Sequence, residues 1–255
     1  MHRASAAENP AAPLAHHILD STHIANSVLA VRIDRGRFSV EGSSFRGREP
    51  DDRHYDVEFG RPDSWAARVW FRPTSTWTLQ ASHGFLDEPE QLEPGDQRRT
   101  SGSASWLKRR GSGFTAVTMA IGRNRRVFST LNALLFEATH RRRSMTAYAR
   151  AERLQVETGV LLFPFVVHKP HPGELADPVT AVTVGGTRDI FAWHGLALSA
   201  GGDVTTYALP PLLQVTHGTR PWSFHVFLRV ARSNLDRRMF DMTMAGQATH
   251  GHAQR

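Results

Sequence analysis

Fourteen histidines make metal binding the first chemistry to weigh in this chain. His16, His17 and His23 gather near the start, and His250 and His252 follow Met239, Met242 and Met244 near the end. Imidazole and thioether groups together would suit copper. Neither cluster has the fixed spacing of a structural zinc site, and no acidic residue stands where it would orient the imidazoles. The absence of cysteine excludes thiolate sites, disulfide frameworks and cysteine nucleophiles. Neither a metal nor any other cofactor is expected.

Ser82 and His83 come nearest to a nucleophile and its base. Adjacent residues of a strand point to opposite faces, so the two cannot pair with each other. No G-x-S-x-G turn is present. Gly111-Ser112-Gly113 has the glycines of a phosphate loop, but a strand-like pattern follows it and the Lys-Ser/Thr ending is missing, so a hairpin turn is its reading. The acids Asp51, Asp52, Glu88, Glu90 and Glu93 stand in long links beside Pro and Gly. Solvated charge is their ordinary use, with divalent-ion bridging to lipopolysaccharide as the alternative. No enzyme is expected from these residues.

Basic residues exceed acidic ones, 31 Lys and Arg against 24 Asp and Glu, for a net charge of +7. The clusters are Arg98-Arg99, Lys108-Arg109-Arg110, Arg123 with Arg125-Arg126, and Arg141-Arg142-Arg143. Such balance suggests nucleic acid. The clusters, however, close alternating segments beside Gly, Ser and Asn, and no basic helix carries them; they read as solvated turn charges, and nucleic acid is not an expected partner.

The elements that hold these residues are strands. Alternation with a period of two recurs from residue 24 to residue 231. In SWAARVWFRP, Trp65, Ala67, Val69 and Phe71 share one face, while Arg68, Trp70 and Arg72 share the other. In WTLQASHGFL, Trp77, Leu79, Ala81 and Phe85 oppose Thr78, Gln80, Ser82 and Gly84, with His83 intruding on the apolar face. The pattern predicts eleven strands, near 24–34, 37–46, 64–72, 77–86, 100–108, 114–122, 131–140, 145–156, 178–187, 194–208 and 222–232. The segment NALLFEATHR could pass for a short amphipathic helix, but pairing with MTAYARAERLQV across Arg141 to Ser144 favours a hairpin.

The links alternate in length. Short ones fall at Arg35-Gly36, Pro73 to Thr76, Arg109 to Gly113, Arg141 to Ser144 and about Thr187 to Trp193; longer ones occupy 47–63, 87–99, 123–130, 157–177 and 209–221. Short turns on one rim and long loops on the other, joining strands of about 10 residues, mark an antiparallel up-and-down transmembrane β-barrel. A Greek-key sandwich has no reason to keep this order. Trp65, Trp77, Trp106 and Trp222 lie near strand ends, where amphipathic rings suit a membrane interface. The mean hydropathy is -0.38 and no apolar run reaches the length of a transmembrane helix, so a membrane reading rests on strands.

Parity then separates the faces. Arg32, Asp34, Glu41, Arg68, Arg72, Gln80, Glu137, Arg150, Glu152, His225 and Arg229 fall on the polar faces and are the candidates to line a lumen. Their mixed signs fit a water-filled pore or a network of ion pairs that holds the wall together. The expected organisation is an irregular segment over 1–20, one barrel domain over 21–233 and a polar tail over 234–255. Because the first link is short, strand 24–34 runs inward, and residues before it start on the long-loop rim. A barrel that begins in the periplasm does not do this. The expectation is that an odd number of N-terminal strands precedes Met1, in agreement with the lack of a secretory-signal pattern in residues 1–20.

The phrases MHRASAAENPAAPLAHH, DSTHI, FRGREPDD, ASHGFLDEPEQLEPGDQRRTSGSASW and PWSFHVFLR resemble those of a family of uncharacterised outer-membrane β-barrel proteins from Gram-negative bacteria, of which this chain would be a C-terminal portion. The resemblance implies a barrel in the outer membrane and brings no catalytic or binding residues. Barrels of this kind often finish on an aromatic residue in the last strand, whereas here Leu235 to Arg255 continues as a polar tail. The expected function is a porin-like or structural outer-membrane barrel, a passive channel in its simplest form. Its partners are outer-membrane lipid and lipopolysaccharide, and the oligomeric state is left open. A soluble all-β ligand-binding protein and an outer-membrane lipase are the alternatives.

Overall fold

The computed structural model describes residues 3–19, 25–48, 60–90, 95–159 and 176–232. His23, Asp51, Asp52, Glu93, the tail from residue 234 and the histidines and methionines within it lie outside the described residues. Eleven strands follow in order: β1 (Asn26–Arg35), β2 (Phe38–Arg46), β3 (Ser64–Phe71), β4 (Trp77–Leu86), β5 (Gln97–Arg110), β6 (Gly113–Arg125), β7 (Thr130–Arg142), β8 (Met145–Glu157), β9 (Ala176–Trp193), β10 (Leu196–Ala208) and β11 (Trp222–Arg232). Each pairs antiparallel with the next in one up-and-down sheet, whose edges β1 and β11 do not pair with each other. The chain is all-β, as the alternation predicts. No helix among the described residues is long and apolar enough to cross a membrane.

Two links differ from their expected place. The supposed turn over 187–193 is strand: β9 runs on to Trp193, which pairs with Leu196. The reversal is made by His194 and Gly195, with φ of 47° and 80°. Left-handed backbone at both central residues is the type I′ geometry whose twist matches a hairpin. The expected long link 123–130 shrinks to 126–129, because β6 and β7 extend through Arg125 and from Thr130. The short turns still share one rim and the other links the opposite one. Residues 131–140 are strand, paired with β6 and β8.

The arginine clusters are also in strands rather than turns. Arg98-Arg99 belongs to β5, Arg123 and Arg125 to β6, and Arg141-Arg142 to β7. Period two sends consecutive residues to opposite faces. Arg99 is therefore buried while Arg98 is exposed, and Arg141 is half-buried while Arg142 is exposed.

Residues 3–19 cross the concave face of this sheet as a 3-10 turn (Ala4–Ala6), an irregular stretch and a short helix α1 (His16–Leu19). Ala4 packs by Phe114 and Leu107 near the short-turn rim, and Ile18 and Leu19 join Leu131, Ala133 and Leu154 towards the long-loop rim. The segment thus runs through the interior from the short-turn rim towards the long-loop rim. Glu8 measures the curvature: it accepts from Arg229 of β11 at 2.9 Å and lies 3.8 Å from Arg141 of β7. On a flat sheet β7 and β11 would be roughly 19 Å apart, four strand spacings of about 4.8 Å. The wall has to curl for one carboxylate to meet both.

Burial is inverted relative to a water-soluble domain. Glu137 is 1% exposed and Arg150 4%, whereas Val226 is 82% exposed and Leu228 72%. The same holds along β6, where Thr118, Gly122 and Asn124 are buried while Met119 and Ile121 are exposed. Buried apolar side chains fall in small clusters: one where α1, and the helix α2 (Pro211–His217) after β10, cover the wall, one of Phe45, Ala66 and Leu86 on β2 to β4, and one of Phe114 and Ala116 by Ala4.

Candidate functional site

The eleven candidate residues share the concave face, as their registers require: Arg32 opposes Glu41, Glu41 opposes Arg68, Glu137 opposes Arg150, and His225 opposes the buried Asp203. Their surroundings divide them into two groups.

On β7, β8 and β11 the candidates other than His225 are held by the crossing segment. Glu137 accepts from Arg3 Nε at 2.7 Å and from Arg150 Nε at 2.9 Å. Arg150 also donates to the Ala11 carbonyl at 2.8 Å. Glu152 accepts the Ala15 backbone N–H at 3.1 Å. Ser5 donates to Thr118 at 2.7 Å, and its carbonyl accepts from Thr139 at 2.7 Å. Glu8 takes Arg229 and the hydroxyl of Thr187, and Arg141 reaches Asp189 at 2.6 Å. Beside this network Asp203 accepts from Tyr148 at 2.9 Å and lies 2.7 Å from Nδ1 of His225. Buried charges that meet opposite charges and backbone groups in this way make a rigid and specific contact.

On β1 to β4 the candidates are more open. Arg32 pairs with Asp34 at 2.9 Å, and Arg72 donates to Ser39 at 2.7 Å. The guanidinium carbons of Arg32 and Arg68 stand 4.9 and 5.5 Å from the Trp70 ring centre. Gln80 is buried and accepts from Ser103 at 3.1 Å. Glu41, half-exposed between Arg32 and Arg68 in the ladder, forms no ion pair among the described residues. Between the crossing segment and β4 to β6 lies a cavity of about 280 Å³, lined by Arg3, His16, Gln80, Ser101 and Ser103 among others. At about 30 Å³ per molecule, that is room for roughly nine waters.

Sequence reasoning missed three parts of this interior. Arg3, Ser5 and Glu8 lie in an alanine-rich run with no periodicity. Tyr148 and Asp203 have the inward parity of their strands but were not singled out. The third part closes the interior near the long-loop rim: Arg126 bridges Glu90 and Glu157, Arg99 reaches Glu90 at 3.5 Å and Gln97 at 2.9 Å, and Asn124 donates to Gln97 at 2.8 Å. The clusters of Arg99 and Arg126 look like turn charges as wholes; the alternation within Arg98-Arg99 and Arg125-Arg126 is the signal that sends one member of each inside.

Ser82 and His83 occupy opposite faces. Ser82 bonds to Ser101 at 2.8 Å on the inside, and His83 to Thr100 at 2.8 Å on the outside. No cluster of three or more metal-ligating side chains occurs among the described residues.

The convex face carries aromatic rings at both ends of an apolar band. Phe38 stacks on Phe71 at 4.6 Å, and Trp77 opposes Trp106 by the short turns; Trp65 opposes Phe85 by the other rim. Along β4, Trp77 and Phe85 are eight residues apart, roughly 27 Å at about 3.4 Å per residue. A strand tilt of about 40° reduces this to roughly 21 Å, near the ~25 Å apolar band of a membrane barrel.

No protein-family model and no curated protein matches the chain in sequence, so the family resemblance stands on its phrases alone. Among solved structures, the chain is similar to OmpT, an outer membrane protein of Vibrio cholerae, at 8% identity and a TM-score of 0.41, over 71% of this chain and 53% of that one. It is similar also to Pseudomonas aeruginosa OccK2 (OpdF), at 12% identity and a TM-score of 0.41, over 80% of this chain and 66% of that one. OccK2 in complex with glucuronate gives a TM-score of 0.38. The chain thus spans between half and two thirds of the length of these proteins.

Proposed function

We propose that the chain forms the wall and inner constriction of a porin-like channel in a bacterial outer membrane, and that it is not an enzyme. The inverted burial carries this reading. Phe224, Val226, Leu228 and Val230 are each more than 60% exposed on one face of β11, while inward positions elsewhere bury Glu137, Arg150, Glu152 and Asp203. In water each such apolar side chain would forgo about 1.5 to 3 kcal/mol of burial. Acyl chains remove that penalty. The aromatic rings at both ends of the band agree with an interface above and below it.

The crossing segment fills the interior along β6 to β9 and leaves β1 to β4 as the side along which small solutes pass. The candidates on its concave face are Arg32, Arg68 and Arg72 against Asp34 and Glu41, so this stretch of the passage favours anions; Arg48 with Asp63, Asp87 and Glu88 lies at the long-loop rim. Nothing in this arrangement supplies a nucleophile with a base.

Single cysteines at 224 to 229, in a chain with no native cysteine, test the reading after reconstitution. Nitroxides at the even positions should be relaxed by a lipid-soluble quencher and those at the odd positions by a water-soluble one. A lipid-inaccessible even face would defeat the proposal. Planar-bilayer recording in a KCl gradient should give a reversal potential of the sign for anion preference.

A further inference from the structure

Four arginines on the convex face have no counterpart in the interior network. Arg98 on β5, Arg123 and Arg125 on β6, and Arg153 on β8 are all exposed and lie towards the long-loop rim. Arg98 and Arg125 are direct cross-strand partners. Like charges so placed repel, and a sheet ordinarily avoids the pairing. Among the described residues none of the four has a carboxylate partner; Arg123 donates only to Asn132 at 2.9 Å. Acids are at hand near this rim, yet Glu90 and Glu157 are taken by Arg99 and Arg126, the sequence neighbours that point inward.

Next to the cluster the apolar band begins. Arg153 opposes Leu134, which opposes Ile121, and Arg98 opposes Phe85, which opposes Trp65. Ile121 is 62% exposed. A ring of guanidinium groups bordering a lipid-facing surface sits where head-group phosphates lie. The four span three strand spacings and several residues: Arg123 and Arg153 have backbones roughly 12 Å apart, and Arg98 and Arg153 roughly 20 Å. That reach suits a head group with more than one phosphate better than a single phosphodiester. Guanidinium groups bind phosphate oxygens through paired hydrogen bonds.

We propose that Arg98, Arg123, Arg125 and Arg153 form an outward-facing site for the phosphorylated head group of lipopolysaccharide. The proposal rests on the outer-membrane reading, which places the long-loop rim in the outer leaflet. Bound phosphate would also relieve the Arg98–Arg125 repulsion.

The test uses the full chain folded in detergent micelles and titrated with lipopolysaccharide, with the same glycolipid stripped of its phosphates, and with phosphatidylglycerol. Changing all four arginines to Gln should weaken lipopolysaccharide binding at least about tenfold. The control triple variant Lys108→Gln, Arg110→Gln and Arg142→Gln, on the opposite rim, should leave it within about twofold. Equal loss in both variants, or equal affinity for phosphatidylglycerol or the dephosphorylated glycolipid, would overturn the site. A second measurement keeps the test independent of the fourfold change: Arg125→Gln alone should leave the lipid-free protein as stable or more stable, and should abolish part of the stabilisation that added lipopolysaccharide confers. A nitroxide at position 226 in the same preparation separates the two readings. If it contacts lipid and the fourfold variant still binds normally, this site alone falls; if it is lipid-inaccessible, the membrane reading falls and takes the site with it.

Discussion

Replacing Glu137 by Gln removes one charge and almost no volume from the contact between wall and crossing segment. Glu137 is 1% exposed, and its partners Arg150 and Arg3 are 4% and 14% exposed. Water can do little to screen the loss at Arg150, which keeps the Ala11 carbonyl as an acceptor. Breaking a buried pair while one charge stays behind costs about 3 to 5 kcal/mol, because the survivor is left without compensation. The expected change for Glu137→Gln is therefore about 3 kcal/mol or more. Urea unfolding of the full chain in detergent micelles, followed by the emission of its six tryptophans, measures this. Removing the survivor as well, in Glu137→Gln with Arg150→Met, should recover part of the loss, with a coupling of about 1 to 3 kcal/mol. A solvent-facing comparison lies in the same wall: Asp34→Asn breaks an exposed pair with Arg32 and should leave the unfolding midpoint unchanged. A loss below about 1 kcal/mol for Glu137→Gln, with no coupling to Arg150, is the behaviour of a hydrated surface pair. It would show that residues 3–19 do not seal this part of the interior.

Other substitutions probe the two faces and the segment. Val226→Arg should cost about 2 to 4 kcal/mol in the same assay if position 226 lies near the membrane midplane, and a negligible change would count against a lipid-facing β11. Arg229→Ala leaves Glu8 with the Thr187 hydroxyl at 3.1 Å and Arg141 at 3.8 Å; bilayer recordings should show larger or noisier conductance, and unchanged traces would argue that the segment does not narrow the passage. A side chain at Gly122 would meet the Ile18 carbonyl oxygen at 2.9 Å from its Cβ, so Gly122→Val should dislodge α1 and expose residues 3–19 to an added protease that should leave them intact in the parent protein. Ser82→Ala should leave any phospholipid hydrolysis in the preparation unchanged, and a loss of hydrolysis with this variant would reverse the non-enzymatic reading.

The strands were legible because period two is written locally: Trp65, Ala67, Val69 and Phe71 announce their common face without reference to the rest of the chain. The same rule, applied inside the arginine clusters, separates Arg98 from Arg99 and Arg141 from Arg142; treating each cluster as one turn obscured it. Turn positions were less legible, since β9 gives no local break before His194 and ends only where two residues adopt left-handed backbone. The crossing segment was not legible at all. Thr187 meets Glu8 across 179 positions and Thr139 meets Ser5 across 134, and nothing near Arg3, Ser5 or Glu8 in sequence records those partners.

The charges on the concave face do two different jobs, and the segment decides which. Glu137 and Arg150 are direct cross-strand partners that would satisfy each other only partly on a bare wall. Arg3, the Ala11 carbonyl and the Ala15 N–H complete the network, so β7 and β8 become a fixed surface with its polar groups engaged by protein. Arg32, Glu41 and Arg68 stand in an equivalent row of direct partners on β1 to β3, yet among the described residues Glu41 has no ion pair and Arg68 meets the Trp70 ring instead. Groups left in that state require water. The alternation on the concave face is the same in both halves of the wall. Where residues 3–19 cover it, it anchors the segment, and where they do not, it leaves charged groups to water, which is the side that the proposed channel would use.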